Sequence, residues 1–429
     1  MSVKEALDVA GLASTCGITS RTGHRAARDC AAVAALRRAG ALVLGKSNLA
    51  QALIFVESDN PVFGRCNHPE REDRSPGGSS GGEGALLALG ASTLGLGTDI
   101  GGSGRIPAAF CGVVSIKPTA GRMPDPQALS LPLGQLAVPS QLAPMARCVG
   151  DVELMLGVLS PAEFVLKPSS AVDVRQLRVG VYETDGLFAP SPGVRRAVRE
   201  AAQALRDAGA HVSTFSLPEP HEANTLYYGL LGADGGAGLR RLLQGSRRDM
   251  RVKQLLLLGS RSRPMRNTLA ALAAAAGQRH LPGLLRALGE CSVDAYWQLC
   301  ERQIAYRTRF LAAMDNSTAG PLDLLLSPVV ATPAFTHGAT KDLGVPGIYT
   351  TLYNLLGWPA GVVPVTRVKA GEESDRPVSK DLAERAAARV EAHSAGLPLG
   401  VQVAARPWQE HMALAAMQVI EKACAANAE

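Results

Sequence analysis

Apolar positions recur along the chain with two alternating periods. In "RDCAAVAALRRAG", Ala32, Val33 and Leu36 share one face of a helix that ends at Gly40. "ALVLGKSN" then predicts a strand with Leu42 and Leu44 on one side. Residues Glu83 to Leu89 read as helix, and "STLGLGTDI" as a short apolar strand running into a turn. "RVGVYETDG" reads as a strand. "SPGVRRAVREAAQALRDAGAHVSTF" predicts a helix with Pro192 near its start and Gly209 at its end, then another strand. "LDLLLSPVVATPAF", "PAGVVPVTRV" and "PLGVQVAARPW" are apolar, strand-like runs. Strands alternating with helices predict an α/β chain with a largely buried sheet covered by helices on both faces. Residues 367–395 are polar and predict an exposed insertion, and no internal repeat is evident.

Composition narrows the classes. With 46% apolar and 19% charged residues over 429 positions, a large core is available. The length allows two or three domains, but large α/β enzymes often stay as one, and one domain over 1–429 is expected. A net charge of +6 is too mild for a nucleic-acid partner. Eight scattered cysteines with no CxxC pair give neither a zinc nor a redox motif, so no metal is expected and reduced thiols are the default. No signal peptide and no spanning helix are read.

Residues 74–107, "RSPGGSSGGEGALLALGASTLGLGTDIGGSGRIP", hold eleven glycines and five serines. A flexible linker would not alternate with ordered elements in this way. In this stretch no Gly-Lys-Ser/Thr follows the glycines, as a phosphate loop requires, and Ile100 stands where a dinucleotide fingerprint needs its third glycine. Gly77 to Gly81 matches the G-x-S-x-G nucleophile elbow, but "PEREDRSP" is not the strand that must precede it.

Both serine blocks together, "GGSSGGEGA" and "GTDIGGSGRIP", with "MSVKEA" at 1–6, resemble the amidase signature family. "FCGVVSIKPTAGRM", "TLYNLLGWPAGVVPVT" and "RPWQE" are similar to its membrane-bound animal fatty-acid amide hydrolase type. The resemblance implies one large mixed sheet wrapped by helices. It also implies Ser103 as nucleophile, Ser79 as bridging serine and Lys4 as base, with a cis peptide at Gly78–Ser79. Ile100, Gly101, Gly102 and Ser103 would donate backbone N–H groups to the oxyanion; Asp99, Arg105 and Ser80 would support the loop. Leu53, Ile54, Val56, Thr350 and Trp408 occupy positions resembling the acyl-binding ones.

Chemistry makes these roles coherent. A serine hydroxyl needs a base, the departing amine needs a proton, and the oxyanion needs preorganised donors. A lysine serves as base only when neutral, which burial favours. No histidine stands at an evident triad position, so a Ser-His-Asp site is disfavoured. One departure stands out: the family carries an aliphatic residue between nucleophile and arginine, where Gly104 is expected to loosen the backbone.

Residues 251–290 hold seven Lys/Arg and one acid among many leucines, including Leu255 to Leu258, Leu269, Leu272, Leu281, Leu284, Leu285 and Leu288. They are expected to form a membrane-binding cap at an anionic interface. In the resembled family a transmembrane helix and further residues precede the lysine strand. Here only Met1, Ser2 and Val3 do, so the chain is expected to lack the N-terminal part of that fold, with Lys4 loosely placed near water. The expected function is cofactor-free hydrolysis of long-chain fatty-acid primary amides or N-acylethanolamines on intracellular membranes. The expected partners are the lipid amide, the membrane surface and a second copy in a homodimer. The alternatives are a glutaminase component of a tRNA amidotransferase, or an inactive lipid-binding homologue.

Overall fold

A computed structural model describes residues 1–124, 134–344 and 347–426. Among the described residues twelve strands form: β1 (Ser2–Lys4), β2 (Gly45–Ser47), β3 (Asp59–Asn60), β4 (Gly64–Arg65), β5 (Leu94–Asp99), β6 (Val114–Lys117), β7 (Gln141–Ala146), β8 (Arg178–Val181), β9 (His211–Thr214), β10 (Leu324–Pro328), β11 (Ala360–Arg367) and β12 (Pro398–Ala405). Ten of them make one mixed sheet in the order β2-β1-β5-β7-β6-β11-β12-β10-β8-β9, and β3 and β4 pair separately. Pairing is parallel for β2/β1/β5 and for β10/β8/β9, and antiparallel between.

The central strands carry continuous apolar runs because helices cover both faces. Gly361 of β11 lies against Met417 of the helix beginning at Glu410, and Gly400 of β12 lies against Ala109 of the helix Arg105–Cys111. Gly361 pairs with Val403 and Gly400 with Pro364, so the two glycines face opposite sides of the sheet. Leu324, Leu325, Leu326, Val362, Val363, Val401 and Val403 are all fully buried.

Three expectations are corrected. Residues 41–44 are not a strand, and Leu42 and Leu44 are 80% and 68% exposed. Strand pairing with β1 covers Gly45–Ser47, and before it Met1 holds the segment, donating to the Leu42 carbonyl at 2.7 Å and accepting from the Leu44 N–H at 2.9 Å. Residues 367–395 are not wholly an exposed insertion. They contain the helix Leu382–Glu391, which buries Ala383, Ala386, Ala387 and Val390 at i, i+3, i+4, i+7 spacing. Lys4 is not near water; it has no exposed surface, because β1 is held between β2 and β5. Finally, "GALVLGKS" at 40–47 does satisfy the phosphate-loop pattern, but the order is helix, loop, strand. Lys46 Nζ donates to the Ala13 carbonyl at 2.6 Å and Ser14 Oγ at 2.9 Å, so its ammonium is committed to protein.

Candidate active site

Strand β1 ends at Lys4 and strand β5 ends at Asp99, side by side in the parallel part of the sheet. The segment before the helix Gly81–Ala88 brings Ser79 between them. Lys4 Nζ donates to Ser79 Oγ at 2.7 Å and to Thr98 Oγ1 at 2.9 Å. Burial pulls Lys4 down to about 7, against the opposing charges of Asp99, Cys16 and Glu83. Near neutral pH a large fraction of this amine is therefore free base.

The two serine blocks are joined through Ser80. Its N–H donates to the Ser103 carbonyl at 3.1 Å, and its hydroxyl donates to the Thr98 carbonyl at 3.3 Å. The Gly78–Ser79 peptide is cis, and the segment 56–57 passes so close to Gly78 that a Cβ there would meet backbone at 2.6 Å. Lys4 and Ser79 have no exposed surface, whereas Ser103 keeps 7%, so Ser103 is the member that reaches outward.

Asp99 shapes the loop that follows it. Its Oδ1 accepts from the Gly102 N–H at 2.8 Å and its Oδ2 from the Gly104 N–H at 3.2 Å. Arg105 binds both oxygens, at 2.9 and 3.0 Å, with both side chains fully buried. Arg105 also donates to Gln402 Oε1 and Asn354 Oδ1, each at 2.6 Å. Burial alone would raise the Asp99 carboxyl, but Arg105 and Asn354 outweigh it and hold it below the usual carboxylate range. The Gly102 N–H is thus spent on Asp99, which leaves Ile100, Gly101 and Ser103 of the expected oxyanion donors. Gly104 is no loose joint either. Its N–H is bonded, and a Cβ there would lie 2.5 Å from the Ala143 Cβ, so Ala143 already fills the space an aliphatic side chain would take.

Of the expected acyl-binding residues, Thr350 and Val56 reach the site. Thr350 Oγ1 donates to the Gly101 carbonyl at 2.9 Å, and the Val56 backbone lies against Gly78. Leu53 belongs to a second apolar cluster with Leu239, Leu243, Val252 and Leu256, with Ile54 packed against it. Trp408 does not reach the site. It is 41% exposed, its backbone N–H donates to Thr119 Oγ1, and its ring stacks on Phe164 with the Arg122 guanidinium over it.

Sequence reasoning missed several residues. Tyr227 donates to the Ile100 carbonyl at 3.2 Å, and its hydroxyl stands where a side chain on Gly101 would go. Thr98, Asn354 and Gln402 tie Lys4 and Arg105 in place. Lys117, a second buried lysine, is lowered to about 7 by burial and by the Arg105 charge, and donates to the Pro118 carbonyl at 2.8 Å. A cavity of about 220 Å³ lined by Arg178, His211 and Leu322, and one of about 10 Å³ beside Phe110 and Val330, both lack Ser79 and Ser103 in their walls. Neither cavity therefore opens onto the expected serines.

In 251–290 the helices Met250–Gly259, Arg263–Ala275 and Leu281–Ala287 form. Arg251 and Arg266 turn inward, correcting their expected place on a basic outer face: Arg251 meets Asp249, Glu57 and Asp59, and Arg266 meets the Arg261 carbonyl. Leu256, Leu285 and Leu288 are buried too. Met250, Leu257, Met265, Leu269 and Leu272 are exposed, as are Lys253, Arg261, Arg263, Arg279 and Arg286.

A family model described as Amidase matches residues 1–414. The chain belongs to the amidase family. Membership makes it an amidohydrolase, with the mixed sheet of that family. It is 37% identical to fatty-acid amide hydrolase 1 of Sus scrofa over 98% of this chain and 75% of that protein. It is 31% identical to fatty acid amide hydrolase 1 of Caenorhabditis elegans over the same shares. A glutamyl-tRNA(Gln) amidotransferase component of Roseiflexus castenholzii is 32% identical over 85% of this chain and 75% of that protein. A solved fatty acid amide hydrolase superposes with a TM-score of 0.81 at 24% identity, covering 99% of this chain and 72% of that one.

The Lys4–Ser79 contact predicts how the amidase reacts with pH. A neutral Lys4 accepts a proton and a charged one does not, so the rate of covalent labelling by a fluorophosphonate should rise with pH through about 7 and then level. Lys4→Met should remove that rise and slow labelling by about 100-fold or more. A rise through neutral pH that persists in Lys4→Met contradicts the role of Lys4.

Proposed function

We propose that this amidase is a serine hydrolase that cleaves long-chain fatty-acid amides to fatty acid and amine. The observation carrying the reading is the buried Lys4–Ser79 hydrogen bond at 2.7 Å beside the Ser80–Ser103 backbone bond at 3.1 Å. Ser103 Oγ attacks the amide carbon while its proton passes to Ser79 and the Ser79 proton to neutral Lys4. The oxyanion is met by the Ile100, Gly101 and Ser103 N–H groups, each worth about 3 kcal/mol in the transition state. As the C–N bond breaks, the proton returns from Lys4 through Ser79 to the leaving nitrogen. Water, activated by the same pair, then attacks the acyl ester and frees the acid and Ser103.

Two features support a lipid amide. The exposed apolar and basic residues of 251–290 suit an anionic membrane interface. The cluster of Leu53 with Val252 and Leu256 links that surface to the segment 53–57 beside Gly78. Among the described residues no helix is long and apolar enough to cross a membrane, so attachment through this face would be peripheral. The amidotransferase relatives favour a second reading, a glutaminase acting on a small polar amide.

Oleamide and glutamine separate the two. Oleamide hydrolysis by the wild type, lost in Ser103→Ala, is expected; turnover of glutamine with none of oleamide overturns the lipid reading. The membrane face has its own test. Arg261→Glu with Arg263→Glu should weaken binding to anionic liposomes by about 2 kcal/mol or more, roughly 30-fold. Hydrolysis of a short soluble amide should be spared in that variant, and equal loss in both assays would make the segment structural.

A further inference from the structure

Glu83 is a fully buried carboxylate for which the mechanism has no use. It sits in the first turn of the helix Gly81–Ala88, four residues after Ser79. Three strands make its floor. Ser2 and Lys4 point to one side of β1, because side chains alternate along a strand. Ser47 of β2 is the register partner of Lys4, and Gly95 of β5 is the partner of Ser2. Glu83 Oε1 accepts from Ser47 Oγ at 2.6 Å and Oε2 accepts from Ser2 Oγ. A Cβ on Gly95 would lie 2.5 Å from Oε2, so the bare glycine is what admits the carboxylate to this face.

The arrangement is electrostatically unusual. Both direct partners of Glu83 are neutral hydroxyls, and no ion pair of Glu83 occurs among the described residues. The charges acting on Glu83 are Lys4 and the Met1 amino group. Those acting on Lys4 are Asp99, Cys16 and Glu83. Asp99 is already neutralised by Arg105, and burial pushes the Cys16 thiol up to about 12, so that thiol is neutral at ordinary pH. Asp99 acts on Lys4 more strongly than Glu83 does, but Glu83 is the buried acid near Lys4 with no cationic partner of its own among the described residues. Each group alone would be an isolated charge in an apolar interior, which is costly. The pair escapes that cost in two ways, as ammonium with carboxylate or as amine with carboxylic acid.

We propose that Glu83 is a positioning residue that couples to Lys4, so that its carboxylate, held by Ser2 and Ser47, sets the pH at which Lys4 becomes a free base. The proposal rests on the reading of Lys4 as the base of the proposed reaction. Glu83 touches no reacting atom; it acts through Lys4. The mutual effects agree with this, since Glu83 raises Lys4 and Lys4 lowers Glu83, while burial acts the other way on each and leaves both at about 7. The sign follows. The carboxylate favours the ammonium, so removing it lowers the pH at which Lys4 gives up its proton.

The test reads Lys4 directly. Protein labelled with ¹³C-lysine is titrated by NMR, with the Lys4 ε-carbon signal assigned by its loss in Lys4→Met. Glu83→Gln should move the Lys4 midpoint down by about 1 pH unit, and the rise of fluorophosphonate labelling should move with it. An unmoved midpoint in folded Glu83→Gln overturns the proposal. A moved midpoint with an unmoved labelling profile supports the coupling and overturns Lys4 as base, so the two failures are distinct. Should Glu83→Gln not fold, Ser47→Ala decides. Removing one donor destabilises the carboxylate, and the Lys4 midpoint should fall by a smaller amount; no movement there overturns the proposal.

Discussion

The complete burial of Lys4 is the constraint on which the rest of the site depends. A lysine in water holds its proton near neutral pH and offers no lone pair. Enclosed between two parallel partners and under a helix, the same side chain is drawn down to about 7, as the proposed role of a base requires. That demand explains several features of the fold at once. β1 is only three residues long, yet it is paired on both sides. Thr98 and Ser79 supply the hydrogen-bond partners that a buried amine requires.

A second buried charge is handled in the opposite way. Asp99 is kept fully ionised by Arg105, and its spare lone pairs are used on the N–H groups of Gly102 and Gly104. The loop after β5 is thereby wound around a carboxylate, with Ser103 between two of the fixed peptides. Arg105 in turn reaches Gln402 of β12 and Asn354, almost three hundred residues away in the first case. Breaking one side of such a buried pair typically costs about 3–5 kcal/mol, so the shape of the loop that carries Ser103 is tied to the integrity of the whole sheet. Lys4 is therefore a buried base ready to change charge, and Asp99 a buried acid prevented from doing so.

Much of this was legible in the residues, for physical reasons. Central strands covered on both faces must be apolar throughout, so "LDLLLSPVV" and "GVQVAARPW" announce themselves. The serine blocks stand out because glycines are needed wherever backbone passes close, as at Gly78 against 56–57. The segment 41–44 misled because its alternating leucines imitate a strand, while pairing at a sheet edge depends on where the neighbouring strand stops. The helix Leu382–Glu391 was hidden because its buried stripe is mostly alanine among charges. Tyr227, Thr98, Asn354 and Gln402 carry no local signal, since only the tertiary fold brings them to the loop. Glu83 did carry one, as the single acid in "GGSSGGEGA". Lys4 is firmly placed despite the three residues before it, because the number of residues before a strand says less about its order than the partners beside it.

The central claim is that a buried Lys4 and Ser79 activate Ser103 and no other hydroxyl. Mass-spectrometric mapping of the folded protein after treatment with a fluorophosphonate tests this most directly. The account predicts a single adduct, on the peptide that carries Ser103, and none in Ser103→Ala. An adduct on Ser79 or Ser80 in place of Ser103, or a folded protein that takes up no label, would contradict it.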